Sequence, residues 1–125
     1  PMLEEIGMDF SVSRDQEYVE VNVLAGGRKL ALRPRADLEL LLQLARLRIQ
    51  DAEQGELPVS EHGWVYRDEL LRMLAISENT MHQRVFRARE QLARVGVDGA
   101  AGVVERRLTT GQLRIGVRRL TVQDL

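Results

Sequence analysis

A chain of 125 residues with 44% apolar and 30% charged side chains has the composition of one soluble domain, large enough to fold without staples. It has no cysteine, which excludes disulfides, thiol catalysis and thiolate metal sites, and no apolar run nears the roughly 20 residues of a membrane span. The net charge of −1 hides an asymmetry: residues 1–63 hold seven basic and twelve acidic side chains, whereas residues 64–125 hold eleven and seven.

The acidic start lacks the basic and apolar blocks of a signal peptide, so a cytoplasmic location is the expectation. Met8, Phe10 and Val12 alternate with polar neighbours, and so do Val19, Val21 and Val23, which is the period of half-buried strands. Gly26-Gly27 interrupts this pattern before Leu30 and Leu32 resume it, so "YVEVNVLAGGRKLAL" reads as a hairpin. Pro34 suits the first position of a helix, and Leu38, Leu41, Leu42, Ala45 and Ile49 carry that helix to about Gln50. "QDAEQGELPVSEHG", residues 50–63, has no period and reads as a long exposed loop. Trp64–Tyr66 is β-prone, and "RDELLRML" is a short helix with Leu70, Leu71 and Leu74 inward. A long helix follows over residues 77–95. "VVERRL" and "LRIGV" then form a hairpin through "TTGQ", and "RRLTVQDL" adds an edge strand.

The long helix carries two rows of side chains. Ser77 is a good N-cap, and Glu78 suits the positive end of the helix dipole. Met81, Val85, Ala88, Leu92 and Val95 form an apolar seam. Thr80, Arg84, Arg87, Gln91 and Arg94 repeat the same spacing one residue earlier, with Gln83 on the flank and no apolar member. A solvated face usually balances its arginines with glutamates, and this row does not. A seam that holds the helix and a polar row that faces outward suit entry into a DNA major groove. There arginine donates two bonds to guanine and glutamine pairs with adenine.

The local run "LAISENTMHQRVFRAREQL" resembles the helix-turn-helix of sigma-factor C-terminal regions and LuxR-type regulators through Leu74, Ile76, Ser77, Glu78, Thr80, Arg87, Ala88, Arg89 and Leu92. Ala75 and Asn79 stand where those families carry glycine. Across about 100 residues the order of "LALRPRADLELLLQLA", "VYRDELL", "NTMHQRVFRAREQL" and "VVERRLTTGQLRI" resembles the OmpR/PhoB-type winged-helix effector domain. That resemblance implies an α+β winged helix-turn-helix with N-terminal antiparallel strands (8–33), a three-helix core (34–95) and a C-terminal wing (103–117). It implies base reading by Gln83, Arg84 and Arg87, wing contacts by Arg106, Arg107 and Arg114, and phosphate contacts by Thr80 and Arg89. The connection between the second and third helices is only "AIS", shorter than that family's loop, and the 50–63 stretch is foreign to it.

The expected function is therefore sequence-specific binding of double-stranded DNA by a bacterial-type transcriptional regulator, with a homodimer or a further signalling domain supplementing one module's modest interface. No cofactor, metal, membrane or enzymatic chemistry is expected: His62 and His82 have no second-ligand pattern, and "AGGRK" lacks the Gly-Lys-Ser/Thr ending of a phosphate loop. The alternative is a winged-helix module that docks protein without DNA, because fold does not dictate function. The two part on whether Arg84, Arg87, Arg106, Arg107 and Arg114 share one surface or are interrupted by acids.

Overall fold

The computed structural model describes residues 1–125 and is a mixed α+β structure of three helices and two small sheets. Strands β1 (Gly7–Val12) and β2 (Val19–Ala25) pair antiparallel with Phe10 opposite Val21 and Met8 opposite Val23. Because side chains alternate along a strand, this register puts Met8, Phe10, Val12, Val19, Val21 and Val23 on one face, and all six are buried. Gly26 and Gly27 both have positive φ, which gives a two-residue turn matching the twist of the strands and leads into β3 (Arg28–Ala31).

The buried face of this sheet is covered by α1 (Ala36–Gln54), in which Leu38, Leu40, Leu41, Leu44 and Ala45 are almost fully occluded. Burial spreads wider round α1 than the expected row, with Leu42 and Ile49 only half-buried and Leu40 and Leu44 at the centre. The reason is a second layer, since α1 also packs on α3 and β6, defined below. Two boundaries differ from the sequence reading. Pro34 lies outside α1, because the backbone of Arg33 is held extended from α3 and Arg35 is the cap, with Leu38 N–H donating to its carbonyl at 3.0 Å. At the far end the helix runs through Gln50–Gln54 and stops at Gly55, in the left-handed region. Apolar periodicity ends at Ile49, but Asp51–Gln54 are compatible with a solvated last turn. The expected 14-residue loop thus begins at Gly55 and contains a 3-10 turn at Val59–Glu61.

The two-residue strand β4 (Val65–Tyr66) leads into α2 (Arg67–Leu74), which buries Leu70 and rests Leu71 and Leu74 on the core. Ala75 ends α2 at φ 53°, with its own N–H bonded to Arg72 O and the Ile76 N–H bonded to Leu71 O, the pattern that closes helices ending in a left-handed residue. Ser77 caps α3 (Glu78–Arg94) by accepting from Thr80 N–H at 3.1 Å. After Gly99, β5 (Val104–Arg107) and β6 (Gln112–Ile115) form the C-terminal hairpin, and β4 adds to the outer edge of β6.

The final strand β7 (Arg119–Asp124) returns to the first sheet and pairs in parallel with β1, with Val122 beside Phe10, so the order is β3-β2-β1-β7. One apolar cluster of 27 buried residues runs through both layers. No helix is long and apolar enough to cross a membrane.

Gln91 locks the two layers together. Its Oε1 accepts from Arg33 N–H at 2.7 Å, and its Nε2 donates to Arg33 O at 3.0 Å and to Asp37 Oδ2 at 2.9 Å. Asp37 is 1% exposed, and its Oδ1 has no partner, so Gln91 supplies the side-chain bond that this buried carboxylate makes. Replacing Gln91 with Leu should cost about 2–3 kcal/mol in urea unfolding, because it strands Asp37 and the Arg33 backbone groups. Ala75→Gly should raise stability by up to about 1 kcal/mol, since the left-handed strain of an alanine outweighs the extra chain entropy of glycine. An unchanged midpoint in either variant counts against the corresponding contact.

Candidate nucleic-acid interface

At 100° per residue, the seam residues Met81, Val85, Ala88 and Leu92 define the inward direction of α3, and all are 2% exposed or less. The opposite crest then falls on Asn79, Gln83, Phe86 and Glu90, with His82 on one flank and Arg87 and Arg94 on the other. The expected polar row runs obliquely between seam and solvent. Arg87 and Arg94 are exposed and Thr80 and Arg84 half-buried, but Gln91 is inside at 7% exposure, as the clamp just described. Gln91 therefore does not belong to the outward face. Shifting a helical row by one residue turns it by 100°, which leaves its members at the edge of the buried arc, where tertiary packing decides which are covered.

Within the row, Thr80 Oγ1 accepts from Ser77 Oγ at 3.0 Å, and Arg94 pairs with Glu90 at 3.5 Å. Gln83, Arg84 and Arg87 make no hydrogen bond or ion pair through their side chains. Glu78 at the helix start is held by Arg67 at 2.9 Å and lies 3.6 Å from His82 Nε2.

The hairpin divides its arginines by strand parity. Arg106 and Arg107 are consecutive, so they point to opposite faces. Arg106 is exposed and reaches α3, with Nη2 at 3.4 Å from His82 Nδ1. Arg107 turns the other way, bonding Glu61 and lying 4.2 Å from the centre of the Trp64 ring. Arg114 stands opposite Glu105 in the hairpin register and pairs with it at 3.0 Å. It donates to the carbonyls of Val59, Ser60 and His62, and its guanidinium lies 4.5 Å from the Trp64 ring centre. With 12% of its side chain exposed, Arg114 ties the 55–63 segment to the hairpin and is not presented to an outside partner.

Arg89 is spent in the same way. Its Nε donates to Ala101 O at 2.8 Å and its Nη2 to Val104 O at 3.0 Å, bracing the chain as it enters β5. Burial, and then the neighbouring charge of Arg106, lower its pKa below the usual guanidinium range. Three of the expected contact residues, Arg89, Arg107 and Arg114, are thus committed to intramolecular partners. Gln83, Arg84 and Arg87 are not, Arg106 meets only His82, and Thr80 is half-buried beside its cap.

Two exposed apolar side chains were not singled out from sequence: Phe86, 64% exposed on the crest of α3, and Leu108, 94% exposed at the hairpin tip. Phe86 lies outside the apolar seam, with polar residues at all its i±3 and i±4 positions, a signal that the sequence did contain. Trp64 lies against the Arg107 and Arg114 guanidinium groups, and Tyr66 pairs with Gln112 where β4 joins β6. No group of three His, Cys, Asp or Glu side chains converges to hold a metal ion.

Arg114→Ala should cost about 2–3 kcal/mol and shift the Trp64 emission, because it removes a mostly buried guanidinium that satisfies one carboxylate and three carbonyls. Arg87→Ala should leave stability within about 0.5 kcal/mol. Equal effects in chemical denaturation would refute this division. Comparison with family models, characterised proteins and solved structures gave no match.

Proposed function

We propose that the chain is a winged-helix module of the OmpR/PhoB type that binds double-stranded DNA as the reader of a transcriptional regulator, with α3 in the major groove and the β5–β6 hairpin as the wing on the adjacent backbone. The observation that carries this reading is the set of unpartnered polar side chains on a capped, core-anchored helix. Gln83, Arg84 and Arg87 project from α3 while Arg106 approaches its opposite flank. Gln83 and Arg87 supply base-edge donors of the kind that read adenine and guanine, and Arg84 and Arg106 supply phosphate neutralisation. The acids nearest this face are already engaged, Glu78 by Arg67 and Glu90 by Arg94.

A second reading, docking onto a protein, is favoured by Phe86 and Leu108, whose exposure would suit an apolar partner. The smaller number of free arginines points the same way. DNA binding is preferred because Gln83, Arg84 and Arg87 stand unpaired together on one capped helix, whereas Phe86 and Leu108 stand on different elements.

Fluorescence anisotropy with a random-sequence duplex across a salt series separates the two. Arg84, Arg87 and Arg106 together should give a slope of log K against log[salt] of about −3. Arg87→Ala should make that slope shallower by about one. Absence of binding at low salt, or a slope indifferent to Arg87 and Arg106, refutes the DNA reading and leaves docking.

A further inference from the structure

A cleft of about 330 Å³ lies between the C-terminal half of α1, the 55–63 segment and the start of β7, and shares no residue with the outward face of α3. Its floor contains a cation that the fold does not neutralise. Arg48 is 4% exposed, yet it makes a single hydrogen bond, from Nη1 to Ile115 O at 2.7 Å, and no carboxylate lies within ion-pair distance. The charges of Arg114 and Arg118 both bear on it, and the nearby Glu105 is already bonded to Arg114. Burial first, and then Arg114, bring the Arg48 pKa down to about 10, so the guanidinium remains charged at neutral pH. Burying an unpaired cation is costly, and an incoming anion relieves that cost.

The remaining walls narrow the ligand. Arg118, exposed at the mouth, adds a second guanidinium, and Ile49, Val59 and Leu120 add an apolar wall. His62 is buried with Nε2 donating to Leu57 O at 2.8 Å, which fixes its ring at the edge of the cleft. Glu53 is the only carboxylate among the lining residues. We propose that this cleft binds a small organic anion, its carboxylate or phosphate head on Arg48 and Arg118 and its apolar body against Ile49, Val59 and Leu120. Guanidinium groups take either head in bidentate fashion, and a pocket of this volume holds a small ligand. Arg48 is bonded to the last residue of β6, so an occupant would also stiffen the base of the hairpin.

The test is amide NMR titration of the 125-residue chain with phenyl phosphate, benzoate and inorganic phosphate, each against matched chloride. The expected result is saturable shifts at Ile49, Val59 and Leu120 with phenyl phosphate, benzoate or both. Inorganic phosphate, lacking an apolar body, should bind about tenfold more weakly. The comparison of phenyl phosphate with benzoate identifies the preferred head. Arg118→Glu, on an exposed side chain, should weaken binding at least about tenfold, and Glu53→Gln should strengthen it. Arg48→Met, which keeps the stem, should abolish it. Shifts that map to α3 and Arg106 instead, binding indifferent to Arg118→Glu, or no shift with any probe up to about 10 mM would overturn the proposal. None of these outcomes depends on whether α3 binds DNA.

Discussion

A helix covered on two sides can expose very little, and α1 is that helix. The sheet β3-β2-β1-β7 closes one side of it, and α3 with the hairpin closes the other. Every element that could meet a partner takes its position from this sandwich. The seam of α3 rests on α1, Gln91 pins the same helix to the β3–α1 junction, and Arg48 of α1 holds the end of β6. The return of β7 beside β1 ties the chain's last strand into the layer that its first strand began.

The arginines divide into two groups by what surrounds them. Arg89, Arg107 and Arg114 act as multi-donor fasteners: each bonds more than one carbonyl or carboxylate, mostly in the segments between elements, where backbone acceptors have no ladder to join, whereas Arg48 makes one bond, to Ile115 O. Arginine suits this work because its planar fork reaches several acceptors at once and still covers an aromatic ring, as on Trp64. Arg84 and Arg87 make no such bond, and Arg106 meets only His82. Counting cations in the second half of the chain therefore overstates the charge that a polyanion would meet.

The surface of α3 combines unpaired polar side chains with an exposed phenylalanine, and these features pull in different directions. A groove of bases accepts both, since thymine offers a methyl group beside the donors and acceptors of its neighbours. A protein partner would favour Phe86 and Leu108 over Gln83. The cleft at Arg48 lies apart from this contest, on the face where the 55–63 segment meets β7.

Much of the architecture is legible in the sequence, because it rests on local periodicity. The alternation of Met8, Phe10 and Val12, the paired glycines at 26–27, the Ser77 cap and the Met81–Leu92 seam each specify an element from within a few residues, and all appear as read. Strand parity alone could also have separated Arg106 from Arg107. What the sequence could not decide is what depends on partners far along the chain. The inward turn of Gln91 needs Arg33 and Asp37, and the capture of Arg114 needs Glu105 and the carbonyls of residues 59–62. The α3 row and the hairpin arginines look alike in one dimension. Only the packing of distant segments determines which of their charges are consumed, because a guanidinium bonds whatever acceptors the fold brings within its reach.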